Sequence, residues 1–127
     1  MNSKFTRIVR ILLGIILILF GANKLYTFMP LPHPPEEAAS FMASLMDTGY
    51  MLIVIAILEI CIGLMLILKL WVPFAIMVLV PISINILLFH LFLDVPGIAA
   101  AALVVALNCV LLYKHRRRYV PLFREAY

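Results

Sequence analysis

At 127 residues, 66% of them apolar and only 13% charged, the chain has too little polar surface to cover a soluble domain and reads as an integral membrane protein of three or four spans, with no extramembrane domain expected. Its formal net charge of +4 does not mark a nucleic-acid binder, because the basic residues stand at the ends of apolar runs, where they set topology and touch anionic lipid. Cys61 and Cys109 lie inside apolar runs with no C-x-x-C spacing, which argues against a dithiol redox centre or a zinc site and for buried apolar thiols.

Lys4, Arg7 and Arg10 precede an apolar run over residues 11–20. The pattern imitates a signal peptide but lacks a small-x-small cleavage site after it, so it is read as a retained first helix over about 8–28. Only about thirteen residues separate Arg10 from Lys24, roughly 20 Å of helix against a hydrocarbon layer of about 30 Å. One of the two charges must therefore enter the membrane or snorkel out of it. Gly14, Leu17, Gly21 and Lys24 share one helical face, and small residues there let a neighbouring helix approach. Lys24 then either points into the bundle or snorkels to the headgroups.

A long connection follows, opening on Met29-Pro30-Leu31-Pro32-His33-Pro34-Pro35, whose prolines forbid helix and favour an extended path. A short interfacial helix is expected over about 36–46, with Pro35 at its first position, Glu36 and Glu37 complementing its dipole, and an apolar stripe of Ala38, Phe41, Met42, Leu45 and Met46. Asp47 or Thr48 is placed to cap what comes next.

The second span, about 50–68, is almost entirely aliphatic with one carboxylate, Glu59, at its midpoint. An ionisable group at that depth is costly unless neutral, paired or hydrated, so it marks a functional-site hypothesis by default. Gly63, one turn on, turns the same face inward. Glu59 lies about nine residues, or roughly 13 Å, from the end of its helix that faces Lys24. A lysine stem of about 6 Å closes much of that gap.

Lys69-Leu70 alone separates this span from the third, about 72–93, so the two are antiparallel neighbours, with Trp71 as an interfacial anchor. Pro81 removes a backbone bond inside the third span and should kink it. Ser83 and His90, seven apart, share a face, while Asn85 points about 160° away from Ser83. Asp94-Val95-Pro96-Gly97 is a tight turn. The fourth span, about 98–113, carries Ala99, Ala102 and Ala106 as a small-residue packing face, with Asn108 further along, and stops at Lys114-His115-Arg116-Arg117-Arg118.

Nine of the ten basic residues fall at the termini and the Lys69 turn, and only Lys24 lies on the other side. Both termini are therefore expected in the cytoplasm. The fold class expected is an all-α, single-domain, integral membrane four-helix transmembrane bundle with a short interfacial helix in its first extracytoplasmic loop.

Arg10-Ile11-Leu12-Leu13-Gly14 through Gly21-Ala22-Asn23-Lys24-Leu25, then Glu59-x-x-x-Gly63, then Asn85-Ile86-Leu87-Leu88-Phe89-His90-Leu91-Phe92-Leu93-Asp94 together resemble the DoxX family of small four-helix membrane proteins. The resemblance implies a bundle of the bacterial inner membrane and a loose connection with quinone-linked oxidoreductase chemistry. More distant relatives in animals resemble assembly chaperones and cargo receptors. The motif positions that carry over are Gly14, Gly21, Asn23, Lys24, Glu59, Gly63, Asn85 and His90.

Three readings of these residues stand side by side. Lys24, Asn23, Glu59 and Asn85 form a polar network that only fixes helix register, or, with His90, they serve a ligand or proton site, or they face lipid by accident. A quinone would need a flat apolar slot with donors from His90, Asn85 or Lys24 and walls from Phe89 or Phe92. A metal site is poorly supported: His33, His90 and Asp94 share the outer side, but a His-Pro in a loop and a lone membrane-edge histidine more often serve as interfacial groups. No nucleophile–base pair or phosphate loop is visible, which argues against an enzyme acting alone. The expected function is a subunit or accessory factor of a membrane redox system with an outward-facing polar cavity for a quinone-like or small apolar ligand; the alternative is a non-enzymatic adaptor or assembly chaperone. Expected partners are the lipid bilayer, a membrane or extracytoplasmic redox protein and a further copy of the chain, with no nucleic acid.

Overall fold

The first helix starts and stops for local reasons. Ser3 Oγ accepts the Thr6 N–H at 3.1 Å and opens α1 (Lys4–Leu25). At the other end Asn23 Oδ1 accepts the N–H groups of Phe28 and Met29 at 3.0 and 2.9 Å, drawing the chain out of the helix after Leu25. The span therefore begins and ends earlier than apolar content alone predicts. A computed structural model describes residues 3–29 and 33–124; residues 30–32 of the expected extended connection lie outside the described residues.

The described residues continue through α2 (Glu36–Asp47), α3 (Met51–Leu68), α4 (Val72–Phe92), α5 (Ile98–Lys114) and α6 (Arg116–Tyr119), with two short 3-10 turns at Val95–Gly97 and Val120–Phe123. The fold is all-α. Four segments, Lys4–Leu25, Met51–Leu68, Val72–Phe92 and Val95–Lys114, are long and apolar enough to cross a membrane. Pro35 stands just before α2 rather than inside it. Thr48, not Asp47, joins α2 to α3, its hydroxyl donating to Leu45 O and accepting the Met51 N–H at 3.0 Å.

In the bundle α1 packs chiefly on α3 and α4 on α5, while α1–α5 and α3–α4 contacts close the ring. The core runs through Leu13, Leu17, Leu66, Ile76, Leu79 and Leu111, all buried. Large apolar side chains such as Ile15, Leu64, Phe74 and Leu103 face outward, as lipid-facing positions do. Exposed aromatics mark both ends, Tyr26 and Tyr50 at one and Trp71 and Tyr113 at the other.

The tight connection between α3 and α4 is built on two left-handed residues, Lys69 (φ 59°) and Trp71 (φ 49°). Leu70 N–H turns back to Met65 O at 2.9 Å, and the Arg10 guanidinium of α1 donates to Leu66 O and Ile67 O. The carbonyls that α3 cannot satisfy within itself are thus closed by its neighbour. α4 continues on both sides of Pro81.

Two expectations about faces are corrected. Ala99, Ala102 and Ala106 lie on the outside of α5, and the packed face is Ala101, Val104, Asn108 and Leu111. Both sets have helical spacing, but the apolar and amide side chains of the second fill the bundle, leaving the alanine stripe against lipid. Cys61 and Cys109 are likewise exposed rather than buried. A membrane-facing surface is as apolar as a core, so composition around a residue does not reveal which way it points.

Candidate functional site

Close backbone approach between α1 and α3 sets the site. A Cβ on Gly63 would stand 2.7 Å from Gly14 O, and one on Gly14 would stand 2.9 Å from Gly63 O. Two turns further along, a Cβ on Gly21 would meet Ala56 O at 3.0 Å and Glu59 Cβ at 3.2 Å. The expected packing roles of Gly14, Gly21 and Gly63 rest on these distances.

With the backbones this close, Lys24 Nζ reaches Glu59 Oε1 at 2.8 Å. The carboxylate is buried, its side chain 2% exposed, whereas the lysine side chain keeps 25%. No hydrogen bond of regular geometry reaches Glu59 Oε1 among the described residues, so the short separation describes a contact ion pair. The two charges between which the first span is too short are thereby both accommodated: Arg10 on the carbonyls of α3 and Lys24 on its carboxylate.

The other expected site residues do not converge on this pair. Asn23 is buried, with its carbonyl oxygen committed to Phe28 and Met29. Asn85 is exposed and donates to Pro81 O of its own helix at 2.9 Å, so it is not part of the polar core. His90 Nδ1 lies 3.5 Å from Asp94 Oδ2 and 3.1 Å from Asp94 O, at the turn after α4. Phe89 stacks on Phe41 of α2 at 5.7 Å, and Phe92 faces outward. The quinone slot with His90 and Asn85 as donors is therefore not assembled.

A second buried polar pair takes the place expected for Asn85. Asn108 Nδ2 donates to Ser83 Oγ at 3.1 Å, and Ser83 donates to Val80 O at 3.0 Å. Asn108 Oδ1 is buried with no donor among the described residues. The signal was in the sequence: Asn108 falls four residues after Val104 and seven after Ala101, on the packed face.

Beside Lys24 a cleft of about 260 Å³ opens between α1, α2 and the start of α3, lined by Leu25, Leu45, Met46, Tyr50 and Ile53. The lysine is its cation, and its walls are otherwise apolar except for the Tyr50 phenol. The DoxX family model matches residues 5–91, spanning α1, the glycine contacts, Glu59 and His90. The chain belongs to the DoxX family. No curated protein and no solved structure matches it. The DoxX match thus covers both partners of the ion pair, while α5 lies outside it.

Proposed function

We propose that this DoxX protein sits in a bacterial inner membrane with both termini in the cytoplasm, as a subunit or accessory factor of a membrane redox system, and that its outward-facing cleft takes a quinone-like or other small apolar ligand. The observation that carries the reading is the position of Lys24, which holds Glu59 on one side and borders the apolar cleft on the other. An ammonium has three N–H donors, so pairing with one carboxylate oxygen leaves donors for a ligand carbonyl. Apolar walls with one convergent polar group suit a ring carrying a carbonyl better than a charged solute. The Glu59 charge in turn keeps the ammonium in place.

A second reading, an adaptor or assembly chaperone with a purely structural polar core, is favoured by the commitment of Asn23 and His90 to partners a few residues further along the chain, where their helices end. The two separate on one preparation. Wild-type protein extracted in mild detergent should carry a quinone-like molecule detectable by mass spectrometry, and Lys24→Met should lose it. Reproducible absence of any such molecule from the wild type, with a defined protein partner found instead, would establish the second reading.

A further inference from the structure

The cationic residues after α5 are held against the start of α1. Tyr119 Oη donates to Pro73 O at 2.7 Å, folding the segment after α5 under the bundle. Arg116 Nη1 donates to Tyr113 O at 2.8 Å while its guanidinium lies 4.1 Å over the Tyr113 ring. Lys114 Nζ stands 5.8 Å over the Phe5 ring of α1. Between these groups is a cleft of about 280 Å³ lined by Ser3, Thr6, Lys114, Arg116 and Arg117. Three cations and two hydroxyls line it, and among the described residues none of the three cations has a carboxylate partner.

The hydroxyls add a directed donor. Ser3 Oγ and Thr6 Oγ1 are 2.8 Å apart, so one hydroxyl hydrogen is used between them. Whichever residue donates, the other keeps a hydrogen for an outside acceptor. Three cationic side chains, two of them set over aromatic rings, a neutral donor and, among the described residues, no carboxylate paired with them describe a site for a phosphate group. The cleft also opens beside the exposed rings of Phe5 and Tyr113, at the end of the bundle where aromatic side chains meet the headgroup layer.

We propose that Ser3, Thr6, Lys114, Arg116 and Arg117 form a binding site for the phosphate of an anionic phospholipid headgroup. Arg116 and Lys114 present charge from above aromatic faces, which fixes their heads without neutralising them. Acyl chains would run down the apolar outer surface near Phe5 and Ile8, both exposed. A soluble phosphate compound would share the headgroup chemistry but gain nothing from that surface.

Native mass spectrometry of the full chain in detergent tests this with phosphatidylglycerol, phosphatidylcholine and inorganic phosphate as probes. Wild type should retain phosphatidylglycerol in preference to phosphatidylcholine, and inorganic phosphate should not displace it. Arg116→Gln with Arg117→Gln should weaken phosphatidylglycerol retention by at least about 25-fold, since each guanidinium gives up a charge-assisted hydrogen bond to the phosphate that a cation outside the cleft does not make. Arg7→Gln with Arg124→Gln removes the same charge from the same end outside the cleft and should change retention less than about twofold. Equal losses in the two double variants would reduce the effect to general surface charge and overturn the site. Displacement by inorganic phosphate, or no preference between the two lipids in the wild type, would overturn the lipid assignment even if the variants failed to fold.

Discussion

Lys24 Nζ and Glu59 Oε1 lie 2.8 Å apart at the midpoint of α3, with the carboxylate buried and the ammonium a quarter exposed. The charge separation along α1 explains why the pair exists, since a helix carrying Arg10 and Lys24 about 20 Å apart cannot place both in the headgroups. Removing one partner leaves the other buried charge or dipole unmatched. Lys24→Met and Glu59→Gln should each destabilise the protein in detergent by about 3 kcal/mol, the low end for a buried pair because Lys24 is partly exposed. The double variant should cost at least about 1 kcal/mol less than the sum. Strict additivity in a denaturant titration would show that the two groups do not stabilise each other.

The glycine contacts beneath that pair predict a graded series. Gly63→Ala and Gly14→Ala each press a methyl against a backbone carbonyl of the facing helix, at 2.7 and 2.9 Å, so the helices must part. Each should lose about 1–3 kcal/mol. Gly21→Ala, whose nearest backbone contact is 3.0 Å away, should lose less. Thermal unfolding of the three in one detergent checks the order, and a fully stable Gly63→Ala would refute close packing of α1 on α3.

Much of this was legible in the sequence, and the reasons are specific. The four spans follow from run length and the inward face of α1 from Gly14 and Gly21, while whether Lys24 turns to Glu59 or snorkels to the headgroups stays open in the sequence. What could not be read was orientation where both faces are apolar. Asn85 has the polarity of a core residue, yet its amide is satisfied by Pro81 O, the acceptor one turn back in its own helix, so it needs no neighbour. Asn108, which lies on the packed face of α5, donates instead to Ser83 across the bundle. The role of Arg10 was hidden for a different reason: it depends on the carbonyls that the end of α3 leaves open, which only the meeting of two helices reveals.

The corrected face of α5 can be tested with paired substitutions. Ala101 is 1% exposed and Ala102 is exposed, so Ala101→Leu should overpack the bundle by about 1–3 kcal/mol while Ala102→Leu changes stability by less than about 0.5. Melting temperatures in a common detergent decide it. Equal effects, or a larger loss at Ala102, would restore the alanine stripe as the packing face.

Topology follows from the same ends. Lys69, Lys114 and the start of α1 meet at one end, joined by Arg10 on α3 and Tyr119 on α4, whereas Glu36, Glu37 and Asp94 lie at the other. A cysteine placed at Ala39 in a background without Cys61 and Cys109 should react with an impermeant thiol reagent in intact cells, and one at Glu125 should not. The opposite pattern would reverse the orientation.

Tyr119 supplies the pH dependence. Its phenol is buried and donates to Pro73 O at 2.7 Å, and burial pushes it above its ordinary value of 10.0. The folded chain then holds this proton more tightly than the unfolded chain. Its contribution is fully present below about pH 10 and is lost as pH rises through the folded value, because the unfolded chain releases the proton first. Tyr119→Phe should cost about 1 kcal/mol near pH 7, the worth of one hydrogen bond. Toward about pH 11 the wild type should lose stability faster than the variant and the gap should narrow. Denaturant titrations of the pair at both pH values measure the gap; one that stays constant would mean that folding does not raise the Tyr119 phenol above its unfolded value, and that the bond to Pro73 O does not hold its proton.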